Sequence, residues 1–440
     1  MDLLVRDADL VLLDPRRPPL RGASVLIEGG VVVEAGRGVE APRGVDVLEA
    51  KGRAVVPGLV NMHTHSVQAA MRGLLDGLPL AAWLRESDRL YGALGGEEAW
   101  AAAVLFYVDS LLCGATSVLD MERDVEAAAR AAADTGIRLY AAYAMVDTVE
   151  TGRSGLERLW SVEEELSRAR SLAGRRWRGR VELLYGPVGY PSSSFDLMEA
   201  AAAEARERGL RVHIHLAETP VNDRLARLQG YRGEYEELEA RGVLGPWLSA
   251  AHGVHLDGYA LAGLAKYGAT LVHCPSSNAK LGNGVAPAWE ALRGGVNVAL
   301  GTDGPASGDS ASMLWEMRAA SLIQRAALSS PRPISAAEAF AMATVNAGRA
   351  LGRRLGALRP GWAGDLVVLD LGDPSLQPVD SLVENLVFSA SCRAVEAVVV
   401  GGEVVVEGGR LARAGALQQA YRVLRDARER LVGERDAAQG

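Results

Sequence analysis

The sequence predicts an α/β fold, a (β/α)8 TIM barrel with a small β-sandwich formed by the N- and C-terminal segments. Two observations predict it. Between about Leu59 and Leu355, apolar β-like runs alternate with Ala-rich helical stretches, giving eight candidate strands. That alternation calls for a parallel sheet with helices outside, and eight units close it. Both ends of the chain instead carry short consecutive strands with Gly-Gly hairpin signals, and neither end is long enough to bury a core alone.

The elements follow in order. Asp9–Leu13 is short and β-rich. Ser24–Ile27 and Val31–Glu34 flank Glu28-Gly29-Gly30, a hairpin, and Val45–Leu48 and Ala54–Val56 continue the pattern. A strand ending near Met62 opens the alternating region. Thr116–Asp120, Arg138–Met145, Val181–Tyr185, Arg211–His215, Ala250–Gly253, Thr270–Cys274 and Asn297–Gly301 follow as strands. Glu97–Leu112, Asp124–Asp134, Phe195–Arg208 and Ser310–Ala327 read as helices. Beyond Asp365 the chain is β-rich again: Asp365–Leu369, then Val395–Val400 and Val404–Val406 around Gly401-Gly402-Glu403. Ala416–Arg430 has helical spacing. The expected division is residues 1–57 and 356–440 for the sandwich and terminal helix, and 58–355 for the barrel.

Composition sets bounds on function. The 440 residues are 49% hydrophobic and 23% charged, enough for a large core. A formal net charge of −8 argues against a broad nucleic-acid surface. No apolar run of about 18 residues is free of charge, which excludes a membrane span, and the N-terminus lacks the pattern of a secretion signal. Cys113, Cys274 and Cys392 are few, odd in number and far apart. That argues against a disulfide framework and for a reducing compartment, so a cytoplasmic protein is expected.

The seven histidines, at 63, 65, 213, 215, 252, 255 and 273, all fall at or just beyond candidate strand ends. Barrel active sites are built at that rim. In His63-Thr64-His65, positions i and i+2 face the same way, so two imidazoles can bind one metal. His213 and His215 also share a strand face. His215, nearer the strand end, is expected to ligate and His213 to pack in the core. Glu218 lies just past that strand, where a carboxylate can shuttle protons of a metal-activated water, its alternative being a helix N-terminal acid. His252, at a strand end, is a candidate for orienting the attacking oxygen or polarising the substrate. His255 is expected to be structural and His273 to brace a ligand. Asp303, in Gly301-Thr302-Asp303-Gly304, puts a carboxylate at the rim, able both to ligate metal and to accept a proton. Three neutral imidazoles and a carboxylate suit one divalent metal, zinc before iron.

Pro57–His65, His215–Thr219, Val272–Gly284, Leu300–Gly304 and Pro360–Leu369 together resemble the amidohydrolase superfamily. The closest resemblance is to the subgroup of 5'-methylthioadenosine/S-adenosylhomocysteine deaminases and triazine hydrolases. The resemblance implies one metal on His63, His65, His215 and Asp303, with Glu218, His252 and Asp303 as proton-transfer residues. It implies no bridging modified lysine, and none stands at the end of the fourth strand, where Val181–Tyr185 runs into Gly186-Pro187. Gln68 is implied to approach the substrate ring, and Trp83 is a second candidate for substrate contact. A homodimer is implied as well. Two positions depart from the adenosine-type deaminases: Val188 stands where they carry a His, and Tyr91 stands at or near their ribose-binding Glu. The implied activity is release of ammonia by a metal-bound hydroxide from an amino-substituted ring: a purine, a nucleoside, a pterin, a pyrimidine or a triazine. Removal of chloride, opening of a cyclic amide and an inactive binding homologue are the alternatives.

Overall fold

A computed structural model of the chain describes residues 2–151 and 155–439. Eight parallel strands follow one another round a barrel: Leu59–Thr64, Ala115–Glu122, Arg138–Met145, Arg180–Pro187, Val212–Leu216, Leu248–His252, Thr270–His273 and Asn297–Leu300. The alternation of side chains explains why they form a closed sheet. Leu119, Met121, Tyr140, Ala142, Leu184, Val272 and Ala299 gather in an inner cluster. Their neighbours Val118, Leu139, Leu183, Leu271 and Val298 join the larger cluster under the helices. Period-two burial on both faces is what a parallel barrel demands.

The gap between the eighth and first strands is bridged outside the regular ladder. Asn61 Nδ2 donates to Thr302 Oγ1 (2.7 Å), and the Thr302 amide donates back to Asn61 Oδ1 (3.1 Å). The Asp303 amide donates to the His63 carbonyl (3.0 Å). This approach requires glycine at 301, where a Cβ would stand 2.6 Å from His63 Cβ and 2.9 Å from its backbone nitrogen. Gly301→Ala is therefore expected to push His63 away, costing about 1–3 kcal/mol by overpacking and most of the bound metal. Thermal melts with metal analysis check it; a variant with full metal content would refute the close-approach argument.

The terminal segments form a second sheet of nine strands. It holds Leu3–Val11, Leu20–Glu28, Val31–Gly36, Asp46–Glu49 and Arg53–Pro57 from one end of the chain. Leu366–Asp370, Val395–Val400, Glu403–Glu407 and Arg410–Leu411 come from the other. The ends meet where Arg53–Pro57 runs antiparallel to Leu366–Asp370. Leu3, Val5, Val25, Ile27, Val55, Leu366, Val368 and Val399 share one core. Both expected hairpins are present, and Gly29-Gly30 and Gly401-Gly402 all take positive φ, as primed hairpin turns require. Arg138 on the third barrel strand ties the sandwich to the barrel through two hydrogen bonds to buried Asp365 (2.9 and 2.8 Å). Two elements were not expected: a helix at Leu80–Gly92 and a hairpin of Thr148–Thr151 with Gly155–Arg158. Among the described residues no helix is long and apolar enough to cross a membrane.

The cysteine reading is corrected. Cys113 and Cys392 are disulfide-bonded, with Cα atoms 4.5 Å apart and 279 positions between them in sequence, and only Cys274 is free. The reducing compartment inferred from the count loses its basis. Spacing hid the bond because the fold, not the local chain, brings the end of a barrel helix to the C-terminal segment. Closing so long a loop is worth about 5–6 kcal/mol in the loop-entropy account. Cys392→Ser should lower unfolding free energy by about that amount in guanidinium titrations, and dithiothreitol should then have no further effect. An unchanged midpoint would mean the bond contributes nothing.

Candidate active site

The expected site residues meet at the C-terminal rim. His213 and His215 face the barrel interior, because their neighbours Val212, Ile214 and Leu216 pack outward with the helices. His63, His65 and His215 each offer a ring nitrogen within 4.8 Å of the others. His65 Nε2 and His215 Nε2 are 3.3 Å apart. Asp303 Oδ1 stands 3.5 Å from His63 Nε2 and 3.7 Å from His65 Nε2.

The partners of the other nitrogens decide the tautomers. His65 Nδ1 donates to the Met121 carbonyl (2.8 Å) and His215 Nδ1 to the Val188 carbonyl (2.6 Å). Carbonyls only accept, so both Nε2 atoms keep lone pairs facing the centre. His63 Nδ1 lies 2.8 Å from His213 Nε2, and His213 Nδ1 lies 2.7 Å from Ser249 Oγ. His213 thus has the buried, hydrogen-bonded role expected of it, and it orients His63. Burial holds His63 down at about 4 and His213 and His215 well below the usual imidazole range, so all three are neutral.

The donor set fits a divalent metal. His63 Nε2 is fully buried and has no hydrogen-bond partner, which is costly unless something else takes its lone pair. His63, His252 and Cys274 also lie close together. Burial pushes the Cys274 thiol well up, however, so it stays protonated and is the poorer ligand. The imidazole–carboxylate set is the better host.

Asp303 is held by three groups. Its Oδ1 accepts from the Gly304 amide (2.7 Å), its Oδ2 accepts from Ser277 Oγ (2.5 Å), and His63 sits beside it. Burial opposes its charge, but the close approach of His63 and the neighbouring His252 and His65 prevail, and it titrates well below the usual range. Glu218 behaves oppositely: burial pushes its pKa up, against the attraction of His252. Its Oε1 accepts from Asn283 Nδ2 (2.9 Å), and its Oε2 is 4.0 Å from His252 Nε2. His252 Nδ1 donates to Asn278 Oδ1 (2.9 Å). Burial disfavours the His252 cation, yet Glu218 and Asp303 outweigh it and its pKa rises. Ala217, His252 and Asp303 all take positive φ, at 49°, 73° and 58°. Such backbone costs about 1–3 kcal/mol each and clusters where function needs a fixed geometry.

A cavity of about 510 Å³ opens over this centre, large enough for a small heterocyclic ligand. Gln68 and Trp83 both line it. Gln68 is buried with its Oε1 unpartnered, and Trp83 Nε1 donates to the Ala306 carbonyl (3.3 Å). Val188 and Tyr91 line it as well, and the Tyr91 hydroxyl donates to Glu122 (2.9 Å). One expectation changes. His273 braces nothing: neither ring nitrogen has a partner, and Val272 and Cys274 take the interior face, leaving His273 on the helix side. His255, expected to be structural, is exposed, and its amide donates to the Ala217 carbonyl (2.9 Å). The supporting roles of Asn278, Asn283 and Ser277 were not foreseen. The run from Val272 to Gly284 marked the segment, but a polar residue's partner across the barrel has no local sequence signal.

The model of the amidohydrolase family matches residues 54–405. A 5-methylthioadenosine/S-adenosylhomocysteine deaminase of Pyrococcus abyssi (strain GE5 / Orsay) is 34% identical over 388 residues, covering 88% of this chain and 90% of that protein. A 5'-deoxyadenosine deaminase of Methanothermobacter thermautotrophicus is 34% identical over 396 residues, 89% of this chain and 91% of its own. Among solved structures, an adenosine deaminase from Xanthomonas campestris with bound zinc superposes with a TM-score of 0.90. It has 27% identity and covers 98% of this chain and 99% of its own. The chain belongs to the amidohydrolase family. It is a metal-dependent aminohydrolase, a hydrolase of carbon–nitrogen bonds other than peptide bonds.

Proposed function

We propose that the chain deaminates an adenosine-type nucleoside, with one zinc ion held by His63, His65, His215 and Asp303. The observation that carries this reading is the convergence of Glu218 and His252 beside the Nε2 lone pairs and Asp303. Relatives named as adenosine-type deaminases along nearly the whole chain support the substrate class. When bound, the metal lowers the pKa of a water and makes it a nucleophile near neutral pH.

The protein's residues divide the proton work. Glu218, with its pKa raised, donates a proton to the ring nitrogen next to the carbon that bears the amino group. That carbon can then accept the water oxygen. His252 hydrogen-bonds the attacking oxygen, steadied by Asn278. Asp303, ionised, takes the oxygen's remaining proton and passes it to the amino group, which leaves as ammonia. Gln68 lines the cavity and can donate from Nε2 to a ring nitrogen, which in an adenosine-type ring is an acceptor, and Trp83 packs against the ring.

The test is ammonia release from adenosine, 5'-deoxyadenosine and 5'-methylthioadenosine by protein of measured zinc content. Full zinc with no release from any of the three would overturn the substrate class. A homodimer belongs to the same proposal. The exposed Trp315 and Leu322, seven residues apart on one helix, support it.

A further inference from the structure

Glu218 follows directly on a strained residue. Ala217 lies at φ 49°, in the left-handed region that a residue with a Cβ avoids. Its peptide groups are held from both sides. The Ala217 carbonyl accepts from the His255 amide (2.9 Å), and the Ala217 amide donates to Glu234 Oε2 (3.2 Å). Glu234 is buried, 2% exposed, and opens the helix Glu234–Ala240. Its own amide donates to Asp223 Oδ1 (3.1 Å), on the helix Pro220–Leu228 that leads on from Glu218. The turn between these helices depends on Gly233, at φ 144°, where a Cβ would stand 2.7 Å from Asp223 Oδ1. The chain thus leaves the rim at Glu218 and returns through Glu234 to hold the residue before it. Asn222, which lines the cavity with Glu218, hydrogen-bonds the Glu234 carboxyl as well.

We propose that Glu234 is a positioning residue for the proton donor: by accepting the Ala217 amide it locks the strained backbone there and so aims the Glu218 carboxyl at the substrate ring. The inference rests on the reading of Glu218 as the general acid. A left-handed residue other than glycine persists only where its surroundings over-determine it. Without an acceptor for its amide, Ala217 relaxes toward ordinary backbone, and the side chain of the next residue swings with it. A buried N–H left without a partner drives the same relaxation. Proton transfer is sensitive to such a shift, because donor and acceptor must lie within hydrogen-bond reach. Among the described residues Glu234 is outside the cavity lining, so it acts through Glu218 and not on the substrate. Burial pushes its pKa up to about 8, so near pH 7 the carboxyl is mostly neutral and a glutamine can replace it as the acceptor.

The experiment measures kcat and KM of the zinc-loaded enzyme on whichever of adenosine, 5'-deoxyadenosine and 5'-methylthioadenosine turns over fastest. Zinc content and circular dichroism are recorded on each preparation. The variants are Glu234→Ala, Glu234→Asp, Glu234→Gln, Glu218→Gln and the double substitution Glu218→Gln with Glu234→Ala. Glu234→Ala should lose about tenfold or more in kcat, with KM and zinc content little changed, since misplacing a reacting group by about 1 Å can cost about a hundredfold. Glu234→Asp, whose carboxyl is drawn back by one methylene, should lose kcat too, and it decides the matter if the alanine variant does not fold. Glu234→Gln should stay near the parent. In the Glu218→Gln background the alanine substitution should cost nothing further, because the group it aims is already gone. Near-parent kcat in the alanine and aspartate variants would overturn the inference. So would an equal loss in Glu234→Gln, or losses that add in the double variant, since either would mean a general structural role. Near-normal turnover of Glu218→Gln alone would instead refute the reading of Glu218 as the general acid.

Discussion

Glu218→Gln should keep its metal and lose about a hundredfold or more in turnover, the scale of a positioned general acid. The glutamine keeps the shape of the side chain and can still face Asn283, which donates to Glu218 Oε1. It cannot give up a proton. The ring must be protonated before a nucleophile can add, and an amine leaves poorly as an anion, so both halves of the reaction suffer. Burial favours the protonated form of Glu218: desolvation raises its pKa, and the attraction of His252 does not cancel that. Glu218 belongs to none of the close metal-holding groups among the described residues, so zinc content should stay near one per chain. Ammonia release and metal analysis on the same preparation check the prediction. Full zinc with near-normal turnover would show that another residue carries the proton, and loss of zinc would make Glu218 a ligand.

His215→Ala should abolish detectable turnover and weaken metal binding by more than about a hundredfold, beyond the range seen for residues that only orient ligands. Its Nε2 is one of three imidazole nitrogens at the centre, fixed by the bond from Nδ1 to the Val188 carbonyl. Without it, His63, His65 and Asp303 remain, one donor short of the set, and the missing imidazole must be replaced by water. The barrel should remain folded, because the apolar residues of that strand, Val212, Ile214 and Leu216, are untouched. His213→Ala makes the graded comparison. It removes the ring that orients His63, so binding should weaken by about 10–100-fold without being lost. Zinc titration with a competing chelator, alongside circular dichroism, measures both. Equal affinities for the two variants would place His213 among the ligands.

The sequence by itself determined much of the molecule. Strand and helix periods are local, and burial on both faces of Arg138–Met145 or through Ala23–Ile27 is written in consecutive side chains. The histidines at strand ends were legible for the same reason, since a barrel turns each strand end toward a common rim. His215 over His213 followed from position along one strand; His215 lies in the close imidazole group, and His213 bonds Ser249. The tertiary structure alone decided what depends on distant parts of the chain meeting. It set Cys113 beside Cys392, aimed Asn278 and Asn283 at His252 and Glu218, and turned His273 away from the centre. It also paired Glu86 with Arg89 while placing Asp88, two residues on, at the edge of the cavity. Local pattern fixes which face of an element is buried; which partner waits there depends on how the eight strands close, and closure is a property of the whole chain.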